Sequence, residues 1–311
     1  MRRIAFTSMV LLSCNREKAY EAPQGTLPEP SRTYAPMAEA PIARPPASPA
    51  PKRTASGASA EKPEAGTSAA AGSSSDAGPA LALKLGTGAG CPEGMARTGS
   101  FCIDRFEIAL EGKDGTRFRH NVHPPEGMDG LSAISIPEVS PQGHLSQPQA
   151  MKACQNAGKR LCTSDEWEAA CKGKAGNPFP YGAAMDASAC NVDKRSPHIL
   201  DYYFPGTPHL KRTGKEFNDP MLLLDPAYQT KAGRMPLCVT PEGVYDMDGN
   251  MSEWVSDSES RGGVTYGTFR GAPFSGYAKE GCARKTTAHD ARYYDYSTGA
   301  RCCADMRGRG L

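Results

Sequence analysis

The sequence predicts a disulfide-rich domain of mixed helix and strand in which loops outweigh regular secondary structure. Three observations predict it. From Cys91 onward, short apolar runs are separated by Gly, Pro, Asn and Asp, a pattern typical of short strands joined by turns. In that region, two segments have a clear helical period. Eleven cysteines are more than a cytosolic domain of this size usually holds, so we expect an oxidising compartment.

The first helical segment runs from about Gln147 to Ala157. Ser146 and Gln149 fit a capping box at its start, and Gly158 ends it. Apolar residues recur at the i, i+3, i+4 and i+7 spacing of one helix face. These residues are Ala150, Ala153, Cys154 and Ala157.

The second helical segment begins at Thr163, where Glu166 completes a capping box, and Gly173 stops it. One face of this helix carries Trp167, Ala170 and Cys171. Both predicted helices therefore point a cysteine towards the core.

The N-terminus predicts export and a lipid anchor. Two arginines precede a mostly apolar stretch at residues 4–12, which ends in Leu11-Leu12-Ser13-Cys14. This is typical of a bacterial lipoprotein signal peptide covering residues 1–13, after whose removal Cys14 carries the lipid. The stretch is too short to span a membrane, so a plain signal peptide is the alternative. We expect the bacterial cell envelope, and the outer membrane because Asn15 rather than Asp follows Cys14.

Composition separates a tether from the domain. Residues 14–88 are rich in Pro, Ala, Ser, Gly and Thr and hold too little apolar surface to offset the entropy of ordering them. We expect a disordered linker there, with a ligand for another protein as the alternative, and a domain over residues 89–311. The charge is nearly balanced, with 36 Lys and Arg against 34 Asp and Glu, and no basic run favours nucleic acid as a partner.

Three segments carry a family resemblance. Residues 158–168 read GKRLCTSDEWE, residues 243–254 read GVYDMDGNMSEW, and Arg270-Gly271 precedes the terminal Gly299-Ala300-Arg301-Cys302. Together and in this order they resemble the formylglycine-generating enzyme family, also called the sulfatase-modifying-factor domain family. The resemblance covers roughly residues 91–305. It implies an α+β domain related to the C-type lectin fold, with low regular secondary structure.

The resemblance also implies disulfides. Family members tie the second-helix region to the C-terminal segment by two disulfides, which correspond here to Cys154–Cys302 and Cys171–Cys282. Cys14 apart, six further cysteines remain, again an even number. We expect them to form Cys91–Cys102, Cys162–Cys303 and Cys190–Cys238. A zinc site would require closely spaced CxxC pairs, and the sequence has none.

The turn at residues 246–253 favours calcium. It gathers oxygen-bearing side chains around a glycine, and calcium binds such oxygen ligands with loose geometry. The resemblance implies a structural ion held by the side chains of Asp246 and Glu253 and by the backbone oxygens of Gly249 and Met251. The alternative is a capped turn that positions the following tryptophan in the core.

A second calcium site is implied by the same resemblance. It begins at Asn191 and includes the carbonyl of Val192. We expect Asp219 to be a further ligand.

Copper is not expected. The resemblance implies an enzyme that oxidises a substrate cysteine to formylglycine, using a copper ion held by two cysteines just before the one matching Cys282. Cu(I) requires such thiolates. Residues 270–281 contain no cysteine, and Pro273 stands where the family has a serine. Ser252 also replaces a tryptophan that walls the family's substrate groove.

The histidines do not suggest an iron site. The related nonhaem-iron enzymes need a three-histidine cluster, and the six histidines of this chain show no matching motif. His120 and His123 form an i, i+3 pair in a proline-flanked loop, which we expect to be solvated surface.

The sequence therefore favours a non-catalytic binding or scaffold module. Its ligand contacts would lie on loops at residues 255–300, which are rich in Arg and Tyr, residues favoured at recognition surfaces. A carbohydrate, a cell-wall component or a partner protein are all compatible as ligands. The alternatives are ordinary loop packing, an oxidoreductase that converts cysteine to formylglycine for sulfatase maturation, or a divergent enzyme of the same family. The candidate ligand-binding residues are Arg270, Tyr277, Arg284 and Arg292.

Overall fold

Short strands and short helices alternate through residues 90–306, the part of the chain that the computed structural model describes. The predicted signal peptide, Cys14 and the predicted linker lie outside these residues. The strands are β1 (Met95–Thr98), β2 (Phe101–Asp104), β3 (Ala109–Gly112), β4 (Leu131–Ile134), β5 (Arg160–Leu161), β6 (Ser252–Arg261), β7 (Val264–Arg270), β8 (Lys285–Thr286), β9 (Thr298–Ala300) and β10 (Cys302–Asp305). The α-helices are α1 (Gln147–Asn156), α2 (Ser164–Lys172), α3 (Ile199–Tyr203) and α4 (Gly214–Phe217), and 3-10 turns span His209–Lys211, Pro220–Leu223 and Ala278–Ala283.

The strands form three small sheets. One is antiparallel with the order β1-β2-β10-β5, and a second is the pair β3-β4. The third has the order β8-β7-β6-β9, in which β6 and β9 run parallel. This mixture of helix and strand, with long loops between short elements, confirms the predicted α+β fold class.

The two predicted helices are present, with boundaries within one residue of the prediction. At the start of α1, the backbone N–H and hydroxyl of Ser146 donate to Gln149 Oε1 at 3.0 and 2.7 Å. At the start of α2, Thr163 and Glu166 exchange backbone-to-side-chain bonds of 2.9 and 3.2 Å. Their inward cysteines are fully buried. Local capping chemistry therefore determines where both helices begin.

The region between α2 and β6 differs from the prediction, which gave strands and loops there. Helices α3 and α4 and two 3-10 turns lie within residues 199–223. Each has five residues or fewer, too short to show a helical period. Their apolar residues, such as Ile199 and Leu222, pack into a cluster with Phe274, so tertiary contacts stabilise these turns.

Five disulfides cross-link the described residues, and they join the pairs that the sequence predicts. Three of them close loops of 148, 141 and 111 residues. In the chain-entropy model, a loop of that length stabilises the fold by about 4–5 kcal/mol. The pairs are Cys91–Cys102, Cys154–Cys302, Cys162–Cys303, Cys171–Cys282 and Cys190–Cys238.

A fully buried arginine joins several of these elements. Arg301 follows β9 and forms two 2.7 Å bonds to the carboxylate of Glu253, which is also buried. The same guanidinium donates to the backbone oxygens of Asp104 and Tyr245 at 3.1 and 2.9 Å. Trp167 of α2 donates its ring N–H to Glu253 at 2.7 Å. One ion pair thus connects α2, β6 and the end of β2.

Replacing this arginine should destabilise the domain strongly. Arg301→Met leaves a buried carboxylate without its cation, and we expect the free energy of unfolding to fall by about 3–5 kcal/mol. Guanidinium chloride unfolding with the disulfides intact measures the change. The exposed pair of Arg234 and Glu138 supplies the control, since Arg234→Met should lower stability by less than about 1 kcal/mol. Equal, small losses in the two variants would contradict the assigned role of Arg301.

Candidate functional site

Three of the buried carboxylates around the turn at residues 246–253 interact with Arg301: Glu107, Asp246 and Glu253. Glu107 accepts the backbone N–H of Met251 at 3.0 Å and the side-chain amide of Asn250 at 2.6 Å. Asp246 accepts a backbone N–H at 2.6 Å, and Glu253 is paired as described above. Burial, followed by repulsion from its two carboxylate neighbours, raises the pKa of Glu107 well above its usual value. Burial raises the pKa of Asp246 to about 7.

The negative charge of this cluster exceeds its positive charge when all three carboxylates are ionised. Three ionised carboxylates facing the single guanidinium of Arg301 would leave two negative charges unbalanced. Within residues 90–306, no three His, Cys, Asp or Glu side chains converge to hold a metal. Arg301 and Trp167 already bond both oxygens of Glu253. A calcium ion here would therefore depend on Asp246 and on backbone oxygens such as those of Gly249 and Met251.

The second predicted calcium site contains a buried side-chain oxygen without a hydrogen-bond partner among the described residues. The Asn191 amide donates to the Tyr228 carbonyl and to Asn250 Oδ1 at 2.7 and 3.0 Å, while its own Oδ1 is buried without a partner among the described residues. Gly249 lies against the Asn191 carbonyl, at a φ of 99° where a Cβ would approach that oxygen to 2.5 Å. Asp219 instead caps the Pro220–Leu223 turn.

Asp248 is a buried acid whose importance the sequence does not reveal. It is 1% exposed, and neither carboxylate oxygen has a hydrogen-bond partner among the described residues. Burial raises its pKa to about 7, an effect that the nearby Arg284 guanidinium opposes. The Nε of Arg284 is also buried and unpartnered within the described part of the chain. A turn sequence gives no signal that Asp248 is buried beside an arginine 36 positions away.

The structure separates the four candidate ligand-binding residues. Arg270 is 2% exposed; it forms a 2.5 Å ion pair with Glu168 and donates to the Cys282 carbonyl at 2.9 Å. It therefore supports the loop from inside and does not reach the surface. Tyr277 is 51% exposed, with the Arg195 guanidinium 3.5 Å from its ring centroid. Tyr277 and Arg284 flank the same 3-10 turn, whereas the exposed Arg292 lines a hollow between α1 and the β6–β7 hairpin.

The residues present do not fit a copper site of the kind that the resemblance implies. All ten cysteines among residues 90–306 are in disulfides, and Cys282 itself is bonded to Cys171. β7 ends at Arg270, just before residues 271–281, where the family has its copper-binding cysteines. The Ser252 hydroxyl donates to the Gly271 carbonyl at 3.5 Å. The described residues thus offer no thiolate for Cu(I).

The prediction that His120 and His123 are solvated surface is wrong. His120 contacts the Leu223 carbonyl at 3.0 Å, and His123 contacts the His144 carbonyl at 2.9 Å while stacking on Tyr294 at 3.6 Å. His144 is 1% exposed, and its Nε2 is unpartnered among the described residues. Burial lowers the pKa of all three histidines. The loops that carry them pack together, which an i, i+3 spacing does not reveal.

These histidines should make the fold sensitive to acid. Because burial lowers their pKa values, the unfolded chain binds more protons, and stability should fall as the pH drops below about 6.5. His144→Asn, which suits the φ of 56° there, should reduce the loss of melting temperature between about pH 7.5 and pH 5.5. The same change at exposed His209 should leave that loss unaltered. An equal loss in both variants would contradict the assignment.

Comparison with protein families gives a match over most of the chain. The model of the sulfatase-modifying factor enzyme 1-like domain matches residues 70–306. Formylglycine-generating enzymes of Mus musculus and Bos taurus are each 31% identical over 147 residues, which is 46% of this chain. The match covers 32% of each relative, so the chain spans about a third of the length of these proteins.

Solved structures that match part of this chain do so with low sequence identity and low TM-scores. CarF is 19% identical, with a TM-score of 0.31, and the match covers 64% of this chain and 59% of that one. The Major Tropism Determinant P3c variant is 15% identical, with a TM-score of 0.40 and coverage of 69% and 53%. PvdO from Pseudomonas aeruginosa is 13% identical, with a TM-score of 0.38 and coverage of 66% and 80%.

Proposed function

The chain belongs to the family of the sulfatase-modifying factor enzyme 1-like domain, and on that premise we propose that it is a non-catalytic binding module of this family. The observation that carries the proposal is the use of its cysteines. Copper-dependent formation of formylglycine needs a pair of free thiolates, and every cysteine of residues 90–306 is in a disulfide. The cysteines of the domain therefore form its framework.

The binding surface of the proposal comprises the loops of residues 255–300. Tyr277 is exposed beside Arg195, and Arg292 is exposed next to a hollow. Such arginine and tyrosine side chains are favoured in recognition because they combine large contact area with hydrogen bonding. The ligand is a carbohydrate, a cell-wall component or a partner protein.

The proposal also places the domain outside the cytoplasm, anchored by a lipid on Cys14 to the outer membrane of a bacterium. Five disulfides support an oxidising compartment. Among residues 90–306, no helix has the length and apolar character to cross a membrane. The lipid and the signal peptide rest on the sequence at residues 1–14, outside the described part.

A direct assay distinguishes a binding module from an oxidase. The full-length protein, treated with copper, is incubated with a cysteine-containing sulfatase peptide, and the peptide mass is followed. We expect no aldehyde, because no thiolate of the described domain is free to hold Cu(I). A formylglycine-generating enzyme with an intact cysteine pair is the positive control. Formation of the aldehyde by this protein would overturn the non-catalytic assignment.

We also propose that the domain holds structural calcium. Asp246 would supply a side-chain oxygen, and Gly249 and Met251 backbone oxygens, to an ion that balances the buried negative charge, while Glu253 stays paired with Arg301. The excess of carboxylate over guanidinium around Arg301 supports this. The unpartnered Oδ1 of Asn191 supports a second ion beside the Val192 carbonyl.

Thermal unfolding with and without a chelator tests the calcium proposal. EGTA should lower the melting temperature of the full-length protein, and added calcium should restore it, because the ion binds the folded state. Asp246→Asn should reduce this response. Asp219→Asn is the matched control, since an asparagine can still cap the Pro220–Leu223 turn. A melting temperature unchanged by chelator and by calcium would remove the support for both sites.

A further inference from the structure

Residues 199–224 form a segment that contains no cysteine. It comprises α3, α4 and the 3-10 turns at His209–Lys211 and Pro220–Leu223, and we call it the flap. The flap lies inside the loop closed by Cys190–Cys238, and residues 191–237 hold no other cysteine. It can therefore move away from the rest of the domain without any disulfide being broken.

The inner face of the flap covers aromatic side chains of the proposed binding surface. Its apolar residues pack on Phe274 and Tyr296, which belong to the loops of residues 255–300. Both aromatic side chains are at most 5% exposed. The flap residues in this contact are Ile199, Leu200, Leu222 and Leu223. In the observed position, the flap therefore keeps these two rings from a ligand.

A buried arginine of the flap lacks part of its hydrogen bonding. Arg212 is the only buried residue among residues 205–215. One nitrogen of its guanidinium bonds Asp201, whereas Nε and Nη1 have no partner among the described residues. A buried donor left unsatisfied costs about 1–3 kcal/mol, which opening recovers because water can then bond the donor. This cost lowers the free energy needed to open the flap.

Two histidines attach the flap to the loops beside it. His120 Nε2 lies 3.0 Å from the Leu223 carbonyl, and His144 Nδ1 lies 3.1 Å from Asn218 Oδ1. Because a carbonyl or amide oxygen can only accept, the ring nitrogen is the donor in both bonds. Two further bonds, which do not titrate, also reach the flap backbone: Asn121 to Pro220 and Tyr296 to Phe217.

The packing around His144 and its neighbour His123 disfavours a second proton on either ring. The Nε2 of His144 is buried and has no partner among the described residues. His123 Nδ1 donates to the His144 carbonyl, and its Nε2 faces the amide nitrogen of Gln149 at 3.3 Å. That amide is held in this orientation because its oxygen accepts two donors of Ser146. A proton on either second nitrogen would therefore meet no acceptor.

The charged groups near these rings do not stabilise a proton there. They are Asp295 near His144, Glu126 near His123 and Arg119 near His120. Both oxygens of Asp295 already accept donors of its own turn, and Glu126 is exposed. On the flap, Glu216 and Asp219 accept backbone N–H groups at the starts of their own turns. None of the ion pairs of residues 90–306 includes a histidine.

The neutral state of these histidines couples the flap to pH. Burial lowers the pKa of all three rings, so the closed flap holds them neutral. Opening exposes His120 and His144 to water, where a histidine has a pKa of about 6.5. Opening therefore takes up protons and is favoured as the pH falls below that value.

We propose that residues 199–224 are an acid-released flap that regulates access to the binding surface. At neutral pH the flap is closed and covers Phe274 and Tyr296. Protonation of His120 and His144 releases the attachment, and the two aromatic rings become available to a ligand. The disulfides and the β6–β7 hairpin stay in place. This inference rests on the proposed binding role and specifies its regulation.

Hydrogen–deuterium exchange of the full-length protein at about pH 7.5 and pH 5.5 tests the release. After correction for the intrinsic exchange rates, amides of residues 217–224 should exchange faster at the lower pH, by up to about tenfold for each of the two attaching histidines. Amides of β6 and β7 should keep their protection. The double variant His120→Gln, His144→Asn keeps an amide nitrogen near each donor position and does not titrate, so it should lose most of the pH effect. His209→Asn, at an exposed position of the flap, should retain it.

An apolar dye tests the uncovering. Fluorescence of anilinonaphthalene sulfonate with the full-length protein should rise from about pH 7.5 to pH 5.5, and it should rise less in the double variant. Melting temperatures verify that the variants fold. Unchanged protection of residues 217–224 at the lower pH, or an equal gain of exchange in β6 and β7, would overturn the flap. These readouts need no ligand and are independent of the copper assay, in which aldehyde formation would overturn the non-catalytic role.

Discussion

The ion pair between Arg301 and Glu253 lies where the chain passes from one sheet to another. Arg301 separates β9, in the sheet with β6, from β10, in the sheet with β2. Its guanidinium bonds a side chain of the first sheet and the Asp104 carbonyl of the second. A buried charge is unfavourable unless it is fully paired, so this contact favours the observed arrangement of the two sheets. The acidic turn at residues 246–253 is built around this contact.

The cysteines reinforce the same junction. Cys302 and Cys303 directly follow Arg301 and are bonded to Cys154 of α1 and to Cys162 after β5. A fold with ten short strands in its described part has few long ladders of backbone hydrogen bonds, and covalent links over more than a hundred residues take their place. Two relatives of this chain are named formylglycine-generating enzymes. In this chain, every cysteine of residues 90–306 is in a disulfide. Binding through exposed loops is compatible with such a rigid framework.

Local chemistry made part of the molecule predictable. The capping boxes at Ser146 and Thr163 locate two helices, because each depends on residues three positions apart. Family spacing and an even count led to the cysteine pairs. The burial of Asp248, Arg270 and His144 depends on residues far along the chain, and residue type alone does not report exposure. Short helices such as α3 were also beyond prediction, because their stability comes from packing and not from periodicity.

The position of β10 has a consequence for how the domain is assembled. It follows every other strand described here, yet it occupies an interior place in its sheet, between β2 and β5. Because β10 is synthesised after every other strand described here, β2 and β5 cannot be bridged until β10 is available. Until then, Cys154 and Cys162 have no disulfide partners. Cys302 and Cys303, which are adjacent, must afterwards each pair with the correct one of these two cysteines. Assembly therefore depends on the segment that contains β10, and a disulfide-exchange catalyst that can correct a swapped pair would assist it.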